Sequence, residues 1–370
     1  MNHKKTIGIL LPQSKAYPKM SKSFMNGLNL GLDDLECNFI IEGIGNGSST
    51  DEIINKFQKI NFQHNAFATT GIFGHVGFNE LAEVVSLSDQ ILVAADFGAK
   101  SFSKLPNRVY RNSLGLYDSL QTLLHYLDKK NISKIATSTC YYEAGYDFIH
   151  ALDHYVKNNN TNIELTGHFI TPLHPRENES DLMLNYFEEI KPEAIISFHN
   201  GIFASEHAEF LEQNKLCNDF NIYSLPFSFT TEICEILNTQ SKAINVVGNW
   251  FAELETQENS LFKQQYTARF NDSPDYFSLL GYENGLVLKY TLQNESNHSI
   301  EEYIKNINIS GPRGKISFDN AYRTSFYENY ILTIENNNTT IKKIKKDIEL
   351  SHTKIFEENN FGWQNSYLCY

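Results

Sequence analysis

Residues 66–95 read AFATTGIFGHVGFNELAEVVSLSDQILVAA, and the order of apolar runs within them sets the architecture. The two ends, Ala66–Thr70 and Ile91–Ala95, are short apolar runs typical of buried β-strands. Between them, Phe78–Ser86 carries apolar residues at helical spacing. A strand, a helix and a second strand in this order predict two parallel strands covered by the helix that connects them.

The same alternation extends over most of the 370 residues. A first series begins with a strand at Thr6–Leu11 and a helix at Ser21–Leu35, and a second series begins with a strand at Lys134–Thr137. Thr50 or Asp51 is expected to cap a helix of the first series. Two consecutive series of similar size predict an α/β protein with two doubly wound lobes.

Charge and composition exclude several classes of partner. The formal net charge is −13, which argues against nucleic acid and against anionic membranes as binding partners. No apolar run approaches the ~18 residues of a membrane span, so no membrane insertion is expected. Five scattered cysteines suggest free thiols: Cys37, Cys140, Cys217, Cys234 and Cys369.

The start of the chain leaves localisation open. Met1–Lys5 is polar and basic, and the apolar run that follows is interrupted by Pro12, so it is read as a strand and not as a signal peptide. As written, the sequence would stay in the cytoplasm. It would be periplasmic if an upstream signal had been removed.

Motif searches predict no catalytic site, no cofactor and no metal. Phosphate-binding, nucleophile-elbow and zinc-peptidase motifs are absent from the sequence. The glycine-rich run Gly43–Gly47 lacks the third glycine of a dinucleotide fingerprint and is interpreted as a surface turn. His199 and His207 are eight residues apart, and His150 and His154 are four apart; all are expected to face solvent.

Loops that follow the predicted strands hold the candidate ligand contacts. In parallel α/β sheets these loops gather at one edge, where ligands bind against helix N-termini. Aromatic walls with a few polar groups suit a small-molecule cleft. The candidates in five such loops are Tyr17, Phe73, Gly74, His75, Val76, Asp96, Phe97, Gly98, Tyr141, Tyr142, Glu143 and Asn200.

Several segments in this order resemble the type I periplasmic binding proteins, specifically the branched-chain amino acid and amide receptor (leucine-binding-protein-like) group. The resemblance extends from Ile7 to about Ile334. It is carried by the opening run Ile7–Pro12, by Gly71–Gly74 before a helix, by Val109–Ser113, by the turn Tyr142–Gly145, by Gly281-Tyr282, and by Gly311–Asp319.

The resemblance implies two lobes joined by three hinge crossings, with a ligand held between them. The first lobe would comprise residues 1–115 and 250–325, and the second 116–249 and 326–370. Tyr142 and Phe277 match ligand-contact positions of the group, and Phe227 stands where an ammonium-binding acid is common. Asp96 stands near the α-carboxylate position and would repel a carboxylate, which favours a cationic, amide or aromatic ligand with Asp96 or Glu143 as charge partner.

Three functions are compatible with the sequence. The leading hypothesis is a non-enzymatic solute-binding receptor for a small polar ligand such as an amino acid, amide or related amine, serving ABC-type uptake through a permease. The alternative is a cytoplasmic ligand-sensing regulator of the same fold with a regulatory partner. An α/β hydrolase-type enzyme is the third, and no nucleophile with a recognisable neighbour supports it.

Overall fold

The computed structural model of the protein describes most of the chain. The described residues are 4–33, 35–74, 76–98, 104–140, 148–213, 220–230, 233, 243–294, 300–335 and 338–344. The candidates His75, Tyr141, Tyr142 and Glu143 lie outside them. Within these ranges, no helix combines the length and the hydropathy needed to cross a bilayer.

A five-stranded parallel sheet forms the first lobe, in the order β2-β1-β3-β4-β5. Its strands are β1 (Lys5–Leu11), β2 (Cys37–Gly43), β3 (Ala68–Ile72), β4 (Ile91–Asp96) and β5 (Val109–Ser113). The helices between them are α1 (Met20–Leu32), α2 (Thr50–His64) and α3 (Phe78–Ser86). The side chain of Ser49 accepts the backbone N–H of Glu52 and caps α2, so the cap predicted at Thr50 or Asp51 is wrong by one or two residues.

The second lobe contains a seven-stranded sheet in the order β14-β13-β10-β9-β8-β6-β7. Its strands are β6 (Lys134–Cys140), β7 (Glu164–Thr171), β8 (Ala194–Phe198), β9 (Asn221–Ser224), β10 (Ile244–Gly248), β13 (Asn329–Glu335) and β14 (Asn338–Ile344). Strands β6 to β10 are parallel, and β13 and β14 add an antiparallel edge. Its helices are α4 (Leu116–Lys129), α5 (Phe148–Asn158), α6 (Glu179–Ile190) and α7 (Ile202–Gln213).

The chain then returns to the first lobe through α8 (Gln257–Phe270), α9 (Tyr276–Gln293), α10 (Ile300–Lys305) and a hairpin of β11 (Ile309–Gly311) and β12 (Gly314–Ile316). Asp275 caps α9 in a capping box with Ser278. Strand β14 and helix α10 were not predicted, because their segments are polar and lack a clear period.

Alternation along the strands gives the first sheet two buried faces. Ile7 and Ile9 of β1 belong to the core formed with α1 and α9, whereas Leu10 belongs to a separate core under α2 and α3. Helices α1 and α9 approach closely because glycines lie at their contact. A Cβ added to Gly281 would overlap the carbonyl oxygen of Phe24.

The chain crosses between the lobes three times, and buried side chains connect the crossings. The first crossing follows β5, the second follows β10, and the third precedes β13. Asn249 of the second crossing donates its side-chain amide to the carbonyl oxygen of Leu114 in the first, over 2.7 Å. Ser325, before the third, accepts the backbone N–H of Ser113 over 3.0 Å. The three connections therefore form one hydrogen-bonded bundle.

Arg313, in the turn of the β11–β12 hairpin, lies at the centre of this bundle. It donates to the Ser113 carbonyl oxygen over 2.7 Å and to the Asn249 side chain over 3.2 Å. It also forms an ion pair with Glu283 of α9, and neither side chain is exposed. The guanidinium stacks on the Tyr327 ring, 3.8 Å from its centroid. One buried cation thus contacts groups beside all three crossings.

We expect Gly281→Ala to destabilise the protein by about 1–3 kcal/mol, because the added methyl group has to push α1 away from α9. Gly43→Ala is the matched control, since a Cβ there meets no atom within 4 Å, and it should change stability by no more than about 0.5 kcal/mol. Urea unfolding measures both. Equal stability of the two variants would contradict the proposed close packing.

We expect Glu283→Gln to lower the free energy of unfolding by about 3–5 kcal/mol, because it leaves the Arg313 charge buried without its carboxylate. The exposed pair of Lys4 and Glu36 provides the control, and Glu36→Gln should leave the urea midpoint unchanged. A wild-type midpoint for Glu283→Gln would show that the buried pair does not stabilise the crossings.

Candidate functional site

Aromatic rings from both lobes meet between the carboxyl ends of the two sheets. Tyr17 follows β1, Phe97 follows β4, Phe277 lies in the first turn of α9, and Phe227 follows β9 of the second lobe. The Phe227 ring centroid is 5.7 Å from Tyr17, 5.5 Å from Phe97 and 5.7 Å from Phe277. Tyr276, at 5.1 Å from Phe227, completes this interlobe ring cluster. Sequence analysis missed Tyr276, although it adjoins Phe277.

Two backbone features accompany the ring cluster. The Gly201 N–H, at the start of α7, donates to the Tyr17 hydroxyl over 3.1 Å and so connects the two lobes. Phe227 has a φ of +75°, in the left-handed region that bulky residues rarely adopt. Such strain persists only where the surrounding packing imposes it, and it concentrates at ligand clamps. The backbone of Phe227, which carries the central ring of the cluster, is therefore strained.

Asp96 ends β4 beside the ring cluster and is already paired within the first lobe. Its carboxylate lies 3.2 Å from Nε of Arg111, and it accepts the Gly98 N–H over 3.0 Å. Burial raises the pKa of Asp96, and the charge of Arg111 opposes that rise. The carboxylate is thus neutralised by a cation that sequence reasoning did not identify. Its role as a ligand contact stays a prediction.

The loop after β4 is fixed to the first crossing. Gly98 has a φ of +61°, and its carbonyl accepts the Tyr117 N–H over 2.7 Å. The Phe97 carbonyl accepts the Leu116 N–H over 3.1 Å. A Cβ on Gly98 would overlap the Ser113 side chain, so glycine is required for this close approach. The Phe97 ring is therefore positioned by the same segment that joins the lobes.

Four other predicted ligand contacts lie outside the interlobe ring cluster. Phe73 is buried with Phe78 in the core under α2 and α3, separate from the ring cluster. Gly74 and Val76 are half-buried in the loop before α3. Asn200 is fully buried and accepts the thiol of Cys140 over 3.8 Å. As ligand contacts, these four residues stay predictions.

The expectation that His199 and His207 face solvent is wrong. Both are buried, and their rings stack with centroids 3.9 Å apart. Nε2 of His199 is 3.0 Å from the Ser138 hydroxyl. Burial lowers the pKa of His199 well below its usual value and lowers that of His207 to about 3, so both imidazoles are neutral near pH 7. His199 directly follows β8 and His207 lies in α7, so the turn between these elements brings the two rings together. The eight-residue spacing alone does not indicate this contact.

Among the described residues, no group of three or more His, Cys, Asp or Glu side chains is placed to hold a metal ion. The geometry instead brings aromatic rings of the two lobes together between the carboxyl ends of the sheets, beside the hydrogen bond from the Gly201 N–H to the Tyr17 hydroxyl.

No protein-family model matches the sequence, and no curated protein matches it. Among solved structures, an ABC transporter substrate-binding protein from Sphaerobacter thermophilus superposes with a TM-score of 0.76 at 16% identity, covering 93% of this chain and 97% of that one. The fold is that of the type I periplasmic binding proteins.

Other proteins with the type I binding-protein fold were solved with ligands. A solute-binding protein from R. palustris in complex with benzoate has a TM-score of 0.74 at 15% identity, covering 92% of this chain and 96% of that one. The substrate-binding protein LivJ from Streptococcus pneumoniae, in complex with isoleucine, has a TM-score of 0.70 at 15% identity, covering 93% and 100%. At these identities the similarity establishes the fold.

We expect acidification to destabilise the protein through His207. Its pKa is about 3 when folded and about 6.5 when unfolded, so below about pH 6.5 the unfolded chain binds an additional proton. Stability present above that pH is therefore lost progressively as the pH falls toward 3. Between about pH 7 and pH 5 this amounts to about 2 kcal/mol.

Urea unfolding at the two pH values measures the loss, and His207→Phe should reduce it because the titrating group is gone. Phe62→Ala, which replaces an exposed side chain that carries no titrating group, is the control and should leave the pH dependence unchanged. An identical pH dependence in wild type and His207→Phe would refute the assignment.

Proposed function

We propose that this protein is a solute-binding receptor that closes its lobes around a small molecule and presents it to an ABC importer without chemical change. The interlobe ring cluster carries the proposal, because residues of both lobes meet there at the carboxyl ends of the strands. Ligands of parallel α/β sheets bind at that edge. The structural neighbours that share the fold are named solute-binding proteins of ABC transporters, which supports the same role.

The lobes of this receptor would be residues 1–115 with 250–325, and 116–249 with 326–370. The crossings lie near these boundaries, where Asn249 contacts Leu114. A ligand that contacts both lobes binds the closed form better than the open form and so shifts the population toward closure.

The cleft favours a ligand with an aromatic or branched apolar body and a carboxylate. Four phenyl or phenol rings surround Phe227, two of them edge-to-face and two tilted. The pairing of Asp96 with Arg111 removes the repulsion that the sequence alone suggested, since the two charges balance. Neighbours in complex with benzoate and with isoleucine are consistent with this class.

We expect benzoate or isoleucine to raise the melting temperature of the purified protein, because binding to the folded state alone stabilises it by mass action. Calorimetry then gives the affinity, and chromatography of the released ligand should recover it unchanged. Hydrolysis or another conversion of the ligand would contradict the receptor role.

Phe227→Ala tests where the ligand binds, because it removes the ring that contacts the other four. The affinity should fall about tenfold or more, as for the loss of a central aromatic contact. Phe62→Ala is the control, since that side chain is 78% exposed on the first lobe and should not affect binding. Unchanged affinity in Phe227→Ala would place the ligand outside the cleft.

A further inference from the structure

A separate cavity of about 210 Å³ lies within the second lobe, between α6, α7 and the ends of β7 and β8. At about 30 Å³ for each water molecule, its volume corresponds to roughly seven waters, which suits a small organic molecule. Its described lining comes from the second lobe and includes no member of the interlobe ring cluster. The cavity therefore shares no described residue with the interlobe ring cluster.

His207 lines this cavity and has unused hydrogen-bonding capacity. The residue is 5% exposed, and neither ring nitrogen has a hydrogen-bond partner. A neutral imidazole offers one donor and one acceptor, and leaving both buried without partners is unfavourable by about 1–3 kcal/mol each. The imidazole of His207 lies in partly apolar surroundings, since the ring of Phe210 is 6.2 Å away. A bound polar group would satisfy the ring.

The charges around the cavity are predominantly negative. Arg176 is the one arginine or lysine among the described lining residues, and it forms two hydrogen bonds with Glu179, of 2.7 and 2.8 Å. Three further carboxylates, from Glu177, Glu206 and Glu209, line the cavity. Burial and the neighbouring Glu209 raise the pKa of Glu206, which is the response of a carboxylate that lacks a nearby cation. The electrostatic field therefore attracts a positive charge.

Apolar side chains complete the wall, namely those of Met183, Phe203 and Phe210. Aromatic faces and a thioether accommodate a hydrocarbon body, and phenyl faces also attract a cation. Because His199 and His207 stack in parallel, their nitrogens do not converge on one point as metal ligands would. An organic cation satisfies this arrangement better than a metal ion.

We propose that this cavity is a second ligand site, which binds a small organic amine with its ammonium group at the glutamates and its body against the phenyl rings, while His207 hydrogen-bonds to it. The site goes beyond the proposed function, because it is formed by the second lobe alone. It could be occupied with the cleft open or closed, and the two ligand classes would differ in charge.

The first experiment titrates the full chain with benzylamine by calorimetry, with benzyl alcohol as the neutral analogue of the same shape. Benzylamine should bind and benzyl alcohol should bind at least about tenfold more weakly, because it lacks the charge. Added sodium chloride should weaken the binding of benzylamine, since ions screen the glutamates that line the cavity. Equal binding of the two probes, or no binding of benzylamine, would overturn the proposal.

Variants then locate the bound amine. The double variant Glu206→Gln/Glu209→Gln changes two exposed positions and should leave the fold intact. It should weaken the binding of benzylamine about tenfold. His207→Phe should weaken it as well, with folding checked by circular dichroism. Benzylamine affinity that is unaffected in the folded double variant would overturn the assignment.

The cleft variant Phe227→Ala separates this site from the proposed function. It should leave benzylamine affinity unchanged while weakening benzoate or isoleucine. Loss of benzylamine binding in Phe227→Ala would show that the amine occupies the cleft and would overturn a second site. Failure of benzoate and isoleucine to bind, with the amine results intact, would count against the proposed cleft ligands alone.

Discussion

The buried ion pair of Arg313 and Glu283 is the interaction on which the two-lobed arrangement depends. Its guanidinium contacts a carbonyl of the first crossing and a side chain of the second, and it stacks on a ring beside the third. A buried charge is unfavourable unless its partners stay in place, so each contact constrains the others. The ion pair therefore ties the three crossings to one another.

Much of the architecture follows from sequence periodicity. The helix Phe78–Ser86 was predicted with the bounds that the structure shows, because its apolar residues follow helical spacing and its ends adjoin turn residues. Periodicity could not indicate strand β14, whose side chains are largely exposed, nor the helix cap at Ser49, where several adjacent residues can accept the same N–H. These outcomes depend on tertiary context.

The candidate site was harder to predict than the fold. Tyr17 and Phe97 were predicted in separate loops, and Phe227 was named through the family resemblance. The structure brings all three into one cluster because parallel strands end at one edge. Pairing of Asp96 with Arg111 on the neighbouring strand depends on register, which a single sequence does not reveal. The two histidines assigned to the surface are buried together for a different reason, because the turn from β8 into α7 brings them into contact.

Phe227 contacts rings of the first lobe, so these contacts would compete with a ligand that binds in the proposed cleft. A ligand entering there has to displace these ring contacts, so its measured affinity is its intrinsic affinity multiplied by the fraction of molecules in which the rings are apart. The backbone that carries this ring is itself in the left-handed region, at a φ of +75°. Selectivity then depends on how well a ligand replaces the protein's own aromatic surface.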